Sequence, residues 1–104
     1  MEFIETSIFT QRIIALLTNE RYLKLQAMLV ENPQAGKVIP GAGGLRKVRW
    51  RAAGRGKRGG LRIIYYCVSA DRLCMIFAYD KAEQEDLTPE QLKKLRAYVK
   101  GGVL

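Results

Sequence analysis

The sequence predicts an α+β fold in the order β-α-α-β-β-β-α: an antiparallel sheet packed on two N-terminal helices, with a short C-terminal helix. Three observations predict it. Apolar residues recur at helical spacing through the first third of the chain. Three β-rich runs, 45 to 52, 60 to 68 and 72 to 80, then follow one another across glycine-rich or polar turns. A complete helix-start signal stands at Thr88. A chain of 104 residues has room for one domain, residues 1 to 104, with a single core.

Phe3 and Ile4, between Glu2 and Glu5, make a short first strand. Thr6 or Ser7 caps a helix in which Phe9, Ile13, Leu16 and Leu17 share one face. Thr18 and Asn19 interrupt it. A second helix carries Tyr22, Leu25 and Leu29 on one stripe, with Leu23, Ala27 and Val30 beside it. It stops at Asn32-Pro33, because proline disfavours a helical residue before it. So short a break between helices predicts an αα-hairpin. Residues 33 to 44, with Pro33, Pro40 and four glycines, read as a loop. For the last helix, Thr88 is the N-cap, Pro89 takes the first position, and Gln91 completes a capping box. Leu87 and Leu92 form a hydrophobic staple, Leu92, Leu95 and Val99 form a core face, and Gly101-Gly102 end the helix.

Strand periodicity then assigns faces. A hairpin centred on Ala70-Asp71 pairs Cys67 with Cys74, Ile63 with Ala78 and Arg62 with Tyr79. Leu61, Ile63, Tyr65, Ile76 and Ala78 fall on one face, and Arg62, Phe77, Tyr79 and Lys81 on the other. If Val48 and Trp50 join Leu61 and Ile63 in the core, alternation places Lys47, Arg49 and Arg51 with Arg62 and Tyr79. The pattern predicts helices on one side of the sheet and an open basic surface, dotted with aromatic residues, on the other. Arg62, on that surface, is expected to contribute little to core packing.

Charge points the same way. The stretch Arg46 to Arg62 holds eight of the 18 Lys and Arg residues and no Asp or Glu, so the net charge of +8 is concentrated there. A field so concentrated attracts polyanions, and the plainer alternative is a solvated basic loop. Arg51 lies beside the cations already named. Arg55, Lys57 and Arg58 in GRGKRGG are placed to close over a phosphate backbone, and Tyr66 and Tyr79 to stack on unpaired bases. The glycine-rich loop lacks the spacing and following helix of a nucleotide site. With no His there is no plausible zinc site, no imidazole acid-base pair and no Cys-His or Ser-His nucleophile. No cofactor is expected. Cys67 and Cys74 read as reduced thiols. No apolar run approaches the roughly 18 residues of a membrane span, and the acidic N-terminus is unlike a secretory signal, so a cytoplasmic protein without membrane association is expected.

The segments GGLRKVRWRAAGRGKRGGLRIIYY and FAYDKAEQEDLT, with this element order, resemble the RelE/ParE superfamily of bacterial toxin-antitoxin toxins, nearest the HigB-like branch. The resemblance spans nearly the whole chain and implies a RelE-like fold. It also implies an mRNA interferase: a metal-independent endoribonuclease that enters the ribosomal A site, cleaves translated messenger RNA and is silenced by a cognate, DNA-binding antitoxin. The active-site positions it implies are Lys47, Arg49, Arg62 and Lys81, the four that alternation gathers on one face. No tyrosine stands where RelE carries its catalytic one, where this chain has Leu87-Thr88, and Lys81 replaces an arginine.

Cleavage through a 2′,3′-cyclic phosphate and a 5′-hydroxyl needs a base, an acid and stabilisation of the phosphorane. Arginine does not give up its proton, so Arg49 and Arg62 are phosphate binders. Lys47 and Lys81 are candidates for proton transfer, and Glu83 and Glu85 are alternative bases. Two other readings compete: a ParE-like gyrase poison, since fold alone does not fix function, and a non-catalytic RNA-binding protein.

Overall fold

Threonine caps start the helices where the apolar stripes begin. In the computed structural model, which describes residues 1–51 and 60–101, Thr6 Oγ1 accepts from the Phe9 amide at 3.1 Å and opens α1 (Ser7–Leu16). Thr18 Oγ1 accepts from the Arg21 amide at 3.2 Å and opens α2 (Asn19–Glu31). Each bond satisfies an amide that the first helical turn leaves without a partner. The third helix, α3 (Pro89–Lys100), has the full capping box, with Thr88 and Gln91 bonding each other's backbone. None of the described helices is long and apolar enough to cross a membrane.

The strands are β1 (Glu2–Glu5), β2 (Lys37–Val38), β3 (Arg46–Trp50), β4 (Leu61–Ser69) and β5 (Arg72–Asp80), in the sheet order β1-β5-β4-β3-β2. The meander β3-β4-β5 is antiparallel, as its turns predict. β1 adds to β5 in parallel, so the sheet is mixed rather than wholly antiparallel. Two helices carry the chain from β1 to the far side of the sheet, a crossover long enough for parallel pairing. The segment read as a loop also contains β2, which pairs antiparallel with Arg46 and Lys47. Its return bend depends on glycine: Gly44 has φ +103°, and a Cβ there would come within 2.9 Å of the Tyr66 ring.

The β4-β5 register departs from the expected one halfway along. Arg62 stands opposite Tyr79 and Ile63 opposite Ala78, but beyond Ile64 the pairing shifts by one, so Cys74 faces Tyr66 and Cys67 faces Leu73. The cause is a bulge at Ile76, whose carbonyl accepts from Thr6 Oγ1 at 2.7 Å. A bulge adds one residue to one strand and reverses the alternation beyond it. Ile76 therefore packs with Phe77 and Cys74 on the second face, not with Leu61 and Ile63.

Each face of the sheet has its own core. On the first, Phe9, Ile13, Leu25 and Leu29 from the helices meet Val48, Leu61, Ile63 and Tyr65, with Trp50 packed at the margin. On the second, Leu95, Leu92 and Tyr98 of α3, with Ile39 and Leu45, cover Ile64, Ile76, Phe77 and Tyr79. The expectation of an open aromatic surface is thus corrected. The amphipathic face of α3 needs apolar partners, and the second sheet face supplies them. Past the end of β1, side chains close the edge of β5, with Arg12 Nε donating to the Ala78 carbonyl at 2.9 Å and its guanidinium over the Phe77 ring. This fixes the end of β5 that leads into Lys81.

Candidate active-site cleft

Alternation along β3 sends Val48 into the first core and Lys47 and Arg49 to the opposite face. Arg49 stands directly opposite Arg62 on β4, and Arg62 directly opposite Tyr79 on β5. Lys81 follows one residue after β5, its amide bonded to the Gly60 carbonyl at 3.1 Å. At the end of the second face that α3 leaves uncovered, a cleft of about 390 Å³ is lined by Lys47, Arg49, Arg62, Lys81, Glu85 and Asp86. The four cations implied as catalytic therefore line one cavity. Like charges directly opposite one another destabilise a strand pair, so Arg49 facing Arg62 favours an anion in the cleft.

The members differ in freedom. Arg49 and Lys81 are exposed and Lys47 is half-buried. Arg62 is 7% exposed, its Nη1 donating to the Leu61 carbonyl at 3.3 Å. That corrects the expectation that Arg62 is a surface residue remote from packing. With its stem enclosed, its guanidinium lies at the base of the cleft.

Tyr79 is fully buried beneath, and its hydroxyl donates to Asp86 Oδ1 at 3.4 Å. A ring so enclosed presents no face to a base, which corrects the stacking role expected of it. Burial, and then the Asp86 charge, push the Tyr79 hydroxyl up to about 12, partly offset by Arg62. Tyr66 is half-buried against the second core. Arg51 is exposed just beyond β3, and Arg55, Lys57 and Arg58 lie outside the described residues. Arg46 Nη1 donates to the Gly36 carbonyl at 2.8 Å, so this cation holds the loop before β2.

Asp86 is the site residue that sequence reasoning missed. Its Oδ1 accepts from the Leu87 amide at 2.8 Å and lies 3.4 Å from Lys47 Nζ. The Leu87 N–H above all, and then Lys47, hold its carboxyl below the usual carboxylate value, against an opposing effect of burial. The run Asp86-Leu87-Thr88-Pro89 was visible, but as the approach to a helix cap. Nothing in that run indicates that β3 brings Lys47 across to meet it. Among the described residues, no group of three or more His, Cys, Asp or Glu side chains could hold a metal ion.

Comparison with known families agrees with the fold. A family model described as the RelE toxin of the RelE / RelB toxin-antitoxin system matches residues 7–102, which takes in both helices, β2 to β5, α3 and all six residues that line the cavity. Toxins of such systems are paired with an antitoxin, and that is the partner this match implies. With the match running from the start of α1 past the end of α3, the chain belongs to the RelE toxin family.

Proposed function

We propose that this toxin is an endoribonuclease of the HigB-like kind, which cuts translated messenger RNA in the ribosomal A site and so stops protein synthesis. The observation that carries the proposal is the convergence of Lys47, Arg49, Arg62 and Lys81, from β3, β4 and the turn after β5, on one cleft. Arg62, at its base, and Arg49, opposite it, offer donors that stay charged, suited to the oxygens of a phosphorane. Lys47 and Lys81 supply ammonium groups at the rim for proton transfer, and Glu85, which also lines the cleft, is an alternative base for the 2′-hydroxyl. Four cations provide the charge stabilisation that a metal ion would otherwise contribute, so the reaction runs without one. Its products are a 2′,3′-cyclic phosphate and a 5′-hydroxyl.

A gyrase poison would need no such cluster. The test is primer-extension mapping of transcripts after a pulse of expression. Nicks confined to translated frames, with protein synthesis stopping before DNA replication, are expected. Intact messages with replication arrested first would overturn the proposal.

A further inference from the structure

A carboxylate in a cleft built to bind phosphate weakens that binding by repulsion, so the place of Asp86 beside Lys47 calls for a physical reason. The constraints on Asp86 supply one. Its Oδ1 accepts from the Leu87 amide at 2.8 Å, and its carbonyl accepts from Gln84 Nε2 at 2.9 Å. Gln84 in turn contacts the Gln91 side chain, which bonds the Thr88 amide in the α3 capping box. At the other end of this strap, the Asp80 carbonyl accepts from the Gln84 amide at 3.1 Å and Asp80 Oδ1 from the Ala82 amide at 2.9 Å. Asp86 is thus tied to the end of β5 and to the start of α3.

Lys47 arrives from the other side, on a flexible four-carbon stem from β3, and its Nζ lies 3.4 Å from the same Oδ1 that the Tyr79 hydroxyl approaches from below. Where a constrained group meets a flexible one, the constrained group sets the geometry. We infer that Asp86 is a positioning residue: from the α3 side it aims the Lys47 ammonium into the cleft, at a cost in ground-state affinity for phosphate. The inference rests on the ribonuclease reading for its effect on catalysis, but not for its effect on Lys47.

These roles predict a divergence that simple structural damage does not produce. Asp86→Asn keeps an oxygen for the Leu87 amide and removes only the charge. Three measurements on the full chain test it: the ¹H–¹⁵N signal of the Lys47 ammonium, assigned with Lys47→Arg; binding of an all-2′-deoxy oligonucleotide, which lacks the attacking hydroxyl; and single-turnover message cleavage. In Asp86→Asn, the Lys47 signal should broaden beyond detection or shift, the oligonucleotide should bind as tightly or more tightly, and cleavage should fall about ten- to a hundredfold. An unchanged Lys47 signal, or binding and cleavage falling together, would overturn the inference. A wild-type chain that cuts no message, but whose Lys47 signal is lost in Asp86→Asn, would overturn the ribonuclease reading and leave the positioning role standing.

Discussion

Replacing Arg62 with Met separates what this side chain does for the fold from what its charge does in the cleft. Methionine is unbranched and of similar reach, so it keeps the packing of the stem of a residue that is 7% exposed. The substitution forfeits the 3.3 Å bond from the charged Nη1 to the Leu61 carbonyl, a long one that contributes about 1.5 kcal/mol. It also relieves the direct opposition of Arg62 and Arg49, a gain of some tenths of a kcal/mol. The gain offsets part of the loss, leaving stability about 1 kcal/mol below wild type, or a Tm shift of about 4–8 °C. Alanine is the poorer probe: it also removes the two methylenes Cγ and Cδ, at about 0.8 kcal/mol each when buried.

For the chemistry, loss of one charged donor to the phosphorane costs roughly 3 kcal/mol, about a hundredfold in rate. The assay pairs denaturant unfolding with cleavage of a reporter message in a translating extract. Arg62→Met should remain folded and bind antitoxin while cleavage collapses. If it cleaves within about tenfold of wild type, or loses activity only as far as it unfolds, the place of Arg62 in the mechanism is wrong.

Gly36→Ala should destabilise the chain by about 1–3 kcal/mol, because a Cβ there would come within 2.8 Å of the Tyr65 ring and 3.0 Å of the Lys47 backbone. Tyr65 is held in place, its hydroxyl donating to the Pro33 carbonyl and accepting from the Gly36 amide, so chemical denaturation should show the loss. Thr88→Ala should cost about 1 kcal/mol by removing the α3 cap, with a matching fall in the unfolding midpoint. The Tyr79 hydroxyl rises from 10.0 to about 12 on folding, so its contribution is fully present below pH 10 and is lost as pH rises toward 12. Tyr79→Phe should flatten that part of the alkaline stability profile; an identical profile would show that the hydroxyl is not enclosed as described.

Local chemistry was legible in the sequence. Thr88-Pro89-Glu90-Gln91 specified a helix start by itself, because every group in a capping box lies within one turn. Strict alternation from Lys47 to Trp50 decided which face each side chain took, and the Arg62-Tyr79 pairing followed from the short turn near Ala70 and Asp71. Together they put Lys47, Arg49 and Arg62 on one face, and alternation continued past Tyr79 adds Lys81. What the sequence could not decide involved partners remote along the chain. The bulge at Ile76 depends on a hydrogen bond from Thr6, 70 residues away, and it moved Ile76 to the other face. The covering of that face by α3 enclosed Phe77 and Tyr79, since an apolar strand face and an apolar helix stripe each gain by burying the other. The meeting of Asp86 with Lys47, 39 residues apart, likewise exists only once β3 and the approach to α3 are packed side by side. Periodicity reports which face a side chain takes, but only tertiary packing decides what covers that face and which distant group it meets there.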